Sequence, residues 1–150
     1  METQDKIIEA TKEIFSTMVM MEISLEEVME SHGPLTDTIT AMIGLAGIRR
    51  GVLAIHFPYV VAMAITSSFL MMDVNEMNDD VHDAMGEIAN MLGGNVKTIL
   101  SEKGRDIDLS MPSTISGSEY SFQSDKDVDK VIVKFRTDSG SFMVEMDLEK

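Results

Sequence analysis

In the stretch DVHDAMGEIANMLGGNVKTIL, from Asp80 to Leu100, the residues Asp83, Glu87, Asn90 and Gly94 follow one another at steps of four, three and four. On an α-helix these steps put two carboxylates, an amide and a bare position on one face. A carboxylate can pair with a partner's ammonium group. An amide both donates and accepts, so it can hold a water molecule in a fixed orientation. Asn90 competes with the helix backbone, and its place beside Gly93 and Gly94 points to a task for the side chain. The bland reading of Glu87 is a solvated surface acid. Each glycine costs about 1 kcal/mol relative to Ala within a helix. Close packing against a neighbour and a flat docking face both account for that cost.

Other chemistries fare worse. No Ser–His–Asp order activates a nucleophile in the chain. His32, His56 and His82 are far apart in sequence, there is no cysteine, and a protein-borne metal site is not expected. Gly93-Gly94 lacks the Lys-Ser/Thr continuation of a phosphate loop and follows a helical pattern instead of a strand. Asp37, Asp73, Asp79 and Asp80 have the wrong spacing for a calcium loop and read as caps and turns. A formal net charge of −14 argues against nucleic acid or an anionic membrane as the main partner. The N-terminal METQDKIIEA has no basic flank before an apolar core, and the apolar stretch near 57–72 is short of a span. A cytoplasmic protein without a membrane segment is therefore expected.

The elements that must carry the polar face follow from periodicity. Val81, Met85, Ile88, Leu92, Val96 and Ile99 give the central helix a core-facing stripe, with Asp80 as its expected N-cap. A first helix is expected over 3–20, with Ile7, Ala10, Ile14, Thr17 and Met18 on its apolar side and Phe15 alongside. Between Glu22 and Pro34 a short helix around Leu25–Met29 is the reading, ended by His32-Gly33-Pro34. Asp37–Gly47 and Gly51–Phe57 form a strand hairpin about Ile48-Arg49-Arg50, and a second, mostly buried helix starts after Pro58 and runs to Met72. Beyond a turn at Lys103-Gly104, Asp106–Met111 reads as a strand with Ile107, Leu109 and Met111 on one side. The Ser- and Gly-rich run 113–129 reads as a loop with a weak strand near Tyr120–Phe122. Val131, Val133 and Phe135, then Phe142, Val144, Met146 and Leu148, mark a closing hairpin about Thr137-Asp138-Ser139-Gly140. With few aromatic residues, the fifteen Met fill much of the core.

Glu9, Glu13 and Ser16 lie 74 positions before Asp83, Glu87 and Asn90, and the same offset matches Ala10 with Ala84 and Ile14 with Ile88. Each helix is followed by a strand hairpin, which suggests an internal duplication whose first copy has lost the amide. The fold class is α+β, an α/β sandwich of about six strands packed with helices, pseudo-symmetric, in a single domain over 1–150.

The pattern Asp83-x-x-x-Glu87-x-x-Asn90 has Pro112 twenty-two positions beyond the Asn. Together with Gly86-Glu87-Ile88-Ala89-Asn90, Gly93-Gly94-Asn95 and Pro112-Ser113-Thr114-Ile115-Ser116-Gly117, it resembles the signature of the CheC/CheX/FliY family of chemotaxis phosphatases. Ala41 to Gly51 and the helix after Pro58 are similar to that family's first hairpin unit. The resemblance implies a phosphatase for the aspartyl-phosphate of a CheY-like response regulator. It implies catalytic roles for Glu87, engaging the regulator's lysine, and Asn90, orienting the attacking water, with Asp83, Gly94 and Pro112 at the docking face. It also implies Mg²⁺ on the phosphorylated regulator and no cofactor on this chain. Length and the single complete motif are closest to the CheX branch, which implies a homodimer through the sheet. The alternatives are a non-catalytic module that docks a receiver domain or another signalling protein, and a dimeric scaffold.

Overall fold

The structure is a computed structural model that describes residues 2–101, 106–124 and 127–150. The expected turn at Lys103-Gly104 lies outside them. Among the described residues no helix is long and apolar enough to cross a membrane.

Helix α1 (Glu2–Ile14) continues into a π-helical turn over Phe15–Val19. Then come β1 (Ser24–Met29), β2 (Leu35–Gly47), β3 (Gly51–Pro58), α2 (Tyr59–Leu70), α3 (Asp79–Leu100), β4 (Ile107–Leu109), β5 (Ser113–Tyr120), β6 (Val128–Thr137) and β7 (Gly140–Glu149). The seven strands form one antiparallel sheet, in the order β1-β6-β7-β3-β2-β4, with β5 also on the edge of β2. Exchanging β1 with β5, β2 with β6 and β3 with β7 turns the order β1-β6-β7-β3-β2-β5 into its own reverse. The expected duplication is therefore visible as a pseudo-twofold between the central pair β3 and β7. Each outer strand crosses over: β1 pairs β6 of the second half, and β5 pairs β2 of the first.

Alternation along the strands assigns the two faces of the sheet. Ile39, Ala41, Ile43, Leu53, Ile55, Phe57, Val133, Phe135, Phe142, Val144 and Met146 are buried on the helix side. The Phe142 ring meets those of Phe15, Phe57 and Phe135 at centroid distances of 5.0, 5.3 and 5.4 Å, so one aromatic ties together both halves and α1's end. α3 buries Val81, Ala84, Met85, Ile88, Ala89, Leu92 and Val96 on this face, and each large side chain contributes about 1.5–3 kcal/mol.

Five expectations need correction. Residues 25–29 belong to strand β1, because pairing with β6 satisfies a backbone whose side chains are nearly all exposed. The run from Ser113 to Tyr120 is strand β5, since β2 offers an open edge that a Ser/Gly-rich segment can pair without packing demands; the strand ends at Tyr120 and does not reach Phe122. Asn78, not Asp80, caps α3: its Oδ1 accepts from the Val81 N–H at 3.1 Å, and Asp79 and Asp80 occupy the favourable first turn. β4 is only three residues long. The Ser110 N–H and Oγ fasten to the backbone of Gly44, and the chain then turns Met111 out to 85% exposure. In the first helix the π-turn rotates the buried side onto Phe15 and Val19, leaving Thr17 and Met18 outward.

Candidate functional site on helix α3

The buried stripe of α3 fixes what its other side presents. Asp83, Glu87, Asn90 and Gly94 are all exposed, one turn apart in sequence, on the side away from the sheet. The structure pairs neither Glu87 nor Asn90 with another described side chain. A free acid and a free amide side by side on a rigid helix are available to a partner's groups, because no internal bond must first be broken.

The two glycines divide the readings between them. A Cβ on Gly93 would stand 3.3 Å from both Cδ1 and Cγ2 of Ile43, so this glycine lets α3 lie close on β2. A Cβ on Gly94 would meet nothing within 4 Å, so this one bares backbone to the outside. Packing explains Gly93, and only an approaching surface would use Gly94.

Pro112, placed far from the helix in sequence, is brought to it at the start of β5. A Cβ on Gly86 would stand 3.9 Å from Pro112 Cβ and from Thr114 Cγ2, and Pro112 and Thr114 line a shallow hollow of about 340 Å³ with His82, Asp83, Gly86 and Glu87. His82 clamps this corner: its Nδ1 lies 2.7 Å from Thr114 Oγ1 and its Nε2 3.3 Å from Ser116 Oγ. The sequence reading gave His82 no role. Its position one residue before Asp83 is the available signal, but its partners lie on β5, whose Ser- and Gly-rich sequence carries no burial pattern. The five residues singled out thus share one surface, with Asn90 and Gly94 beyond the hollow's rim.

The matching place on α1 is built differently. Ser16 lies inside the π-turn, and its hydroxyl donates back to the Glu13 carbonyl at 3.1 Å. Beside it Lys12, Glu13, Ile23, Ser24, Arg136 and Asp138 line a larger hollow of about 780 Å³.

A second polar cluster lies on the opposite face of the sheet, and sequence spacing gave no hint of it. His32, from the β1–β2 connection, and His56, on β3, both point Nε2 at Glu145 Oε1 on β7, at 2.6 and 3.0 Å. Lys130 holds Glu145 Oε2 at 2.9 Å. Burial alone would push Glu145 up, but hydrogen bonds from His56, Lys130 and neighbouring groups overcome it and hold the acid well below the usual carboxylate range. Burial, and then the adjacent Glu145, push Asp147 up. Burial also lowers His56 against the pull of Glu145.

Comparison with known proteins agrees with the architecture. The family described as chemotaxis phosphatase CheX matches residues 39–136. The CheY-P phosphatase CheX of Thermotoga maritima is 26% identical over 95 residues, which span 63% of this chain and 61% of that relative. A crystal structure of chemotaxis protein CheX from Desulfovibrio desulfuricans shares 26% identity with a TM-score of 0.87, covering 99% of this chain and all of that one. A CheX from Borrelia burgdorferi, solved as a CheX–CheY–BeF3–Mg complex, shares the fold at 20% identity and a TM-score of 0.83, with 97% of each chain covered. With the family match spanning well over half its length, the chain belongs to the chemotaxis phosphatase CheX family.

Proposed function

We propose that this chain accelerates hydrolysis of the aspartyl-phosphate of a CheY-like response regulator, with the exposed face of α3 as the working surface. The observation that carries this reading is the pairing of Glu87 and Asn90, exposed and uncommitted, on a helix whose other side is locked into the core. The Thermotoga relative is named for this activity, and the Borrelia relative was solved with CheY and Mg²⁺.

The division of labour follows from the chemistry. Phosphoryl transfer needs an in-line nucleophile and neutralisation of charge on the phosphoryl oxygens. Mg²⁺ on the receiver supplies the neutralisation. Asn90 holds the water: its carboxamide orients one lone pair toward phosphorus, which converts a diffusing nucleophile into a positioned one. Glu87 engages the receiver's lysine and sets the register of α3 over the phosphorylated aspartate. Gly94 admits the receiver's surface, while Asp83 and Pro112 frame the approach. The acids at this end of α3 make the approach repulsive at long range, with Lys97 the nearest positive group on the helix.

The chain acts as a homodimer in this reading. Among the described residues strand β1 is paired on one side only, and Leu25 and Val28 on it are 43% and 45% exposed, which suits edge-to-edge addition. Light scattering is expected to give twice the 16.6 kDa chain mass, and a monomeric mass removes this part of the proposal.

The test of the function measures phosphate loss from a phosphorylated CheY-type receiver with Mg²⁺ present. Wild type accelerates the loss, and Asn90→Ala loses about 100-fold or more of that acceleration while keeping its unfolding midpoint. Equal rates for both proteins would remove Asn90 from the mechanism. No acceleration by either, with receiver binding retained, would make the chain a docking module.

A further inference from the structure

We propose that His32, His56 and Glu145 form a binding site for a divalent transition-metal ion of the zinc type, on the sheet face opposite α3. Among the described residues these three bring their ligand atoms within 4.8 Å of one another. Imidazole nitrogen and carboxylate oxygen are the donors zinc prefers, and three protein ligands leave a fourth position open.

The hydrogen bonding around the rings carries the argument. His32 Nδ1 lies 2.9 Å from the Gly33 carbonyl oxygen. A carbonyl only accepts, so Nδ1 carries a proton and Nε2 is the ring atom turned to the site. It faces a Glu145 carboxylate oxygen 2.6 Å away. That separation is a hydrogen bond's, so a proton joins the two atoms here, and a metal ion would take that proton's place. A backbone carbonyl on the far ring nitrogen is also the usual support of a metal-ligating histidine. His56 has a hydroxyl in the corresponding place: its Nδ1 lies 2.7 Å from Thr40 Oγ1, which in turn lies 2.7 Å from the Tyr120 hydroxyl. A hydroxyl both donates and accepts, so Thr40 can accept from Nδ1–H when a metal ion displaces the proton that His56 Nε2 shares with Glu145.

Charge and access agree with this assignment. Among the described residues, Glu145 and Asp147 stand against one ammonium group, Lys130, which reaches both. Lys130 takes Glu145 Oε2, so Oε1 remains the anionic donor facing the rings. Asp147 is buried, and its Oδ1, 3.4 Å from Lys130 Nζ, accepts no hydrogen bond from the described residues. The site thus has more buried acceptor than donor. A hollow of about 360 Å³ reaches His56 past Pro34, Leu35, Thr38, Lys134 and Ser141. Ligand atoms around tetrahedral zinc at bonds of about 2.0–2.1 Å stand roughly 3.3 Å apart. Filling the site therefore moves the His32 ring outward, from 2.6 Å to about 3.3 Å from the Glu145 oxygen, and its place in a connecting segment allows that shift.

The test uses the full chain freed of metal by a chelator and titrated with Co²⁺ at neutral pH. One Co²⁺ per chain is expected, with the visible absorption of a low-coordinate nitrogen–oxygen site, and Zn²⁺ displaces it and raises the unfolding midpoint. His32→Gln, in a connection outside the core, keeps its circular dichroism and binds at least about 100-fold more weakly. His82→Gln and Asn90→Ala, on the other side of the sheet, bind as wild type does. Absence of the Co²⁺ spectrum, or an affinity unchanged in His32→Gln, would overturn the proposal; the second result would assign binding to surface acids.

Discussion

The two halves of the sheet share a topology and differ in the helix each sets against it. α3 runs for 22 residues without interruption and presents Asp83, Glu87, Asn90 and Gly94 in one line. α1 stays α-helical for 13 residues and then widens into a π-turn at Phe15, one residue before the place where the amide would stand. The widened turn serves the core: it drives Phe15 and Val19 inward and seats Phe15 on Phe142. The same turn takes Ser16 out of α-helical register with Glu13 and lets its hydroxyl bond back to the helix. A helix that must pack tightly at its end and a helix that must hold two side chains in fixed relation satisfy different demands. Loss of the amide in the first half is therefore more than one substitution. The backbone that would present it has changed as well.

That contrast can be broken by exchanging residues. The largest effect is expected from Asn90→Ser, which gives α3 the residue of α1: receiver dephosphorylation falls by about 100-fold, as for Ala, because a hydroxyl lacks the reach of the carboxamide. Near-normal rates would show that the amide is not what separates the halves. Glu87→Gln is expected to lower kcat/KM about tenfold, mainly through KM, since the ion pair fixes docking and not the water; a fall confined to kcat would give Glu87 a different task. The glycines sharpen the comparison in urea unfolding. Gly94→Ala is expected to stabilise the chain by about 1 kcal/mol from helix propensity alone. Gly93→Ala should fall at least about 1 kcal/mol below Gly94→Ala, because Ile43 must shift to admit the methyl group. Equal stabilities would mean that α3 does not press on β2 as described. The smallest effect belongs to Ser16→Asn. An amide on the π-turn is expected to leave the phosphatase rate within about twofold of wild type; a clear gain would show that the first half needed only its side chain back.

How legible all this was in the sequence depended on where the signal resides. The stripe of α3, the hairpins β2–β3 and β6–β7 and the polar face were readable because periodicity is a local property, and each element buries one side. β1 and β5 were not, and for a common reason. SLEEVM and STISGSEY bury almost nothing, and they are strands because an edge of the opposite half offers hydrogen bonds to them. Burial patterns cannot report a structure held by partners about 70 to 110 residues away. The π-turn was missed since an α-helical reading of Ile14, Thr17 and Met18 fits the pattern as well. Pro112 is pointed to by the resemblance, and the structure sets it in one hollow with Gly86. The convergence of His32, His56 and Glu145 exists only through the register of β3 against β7 and a connection folded over the sheet.

The crossed outer strands have a kinetic consequence. Neither half can complete its share of the sheet alone, since Ser24–Met29 waits for Val128–Thr137 and Ser113–Tyr120 waits for Leu35–Gly47. Closing contacts over such separations delays the folding transition state and joins both halves in one cooperative event. A half that no longer carries the amide is then not dispensable baggage: cutting it away would unzip the half that still has it.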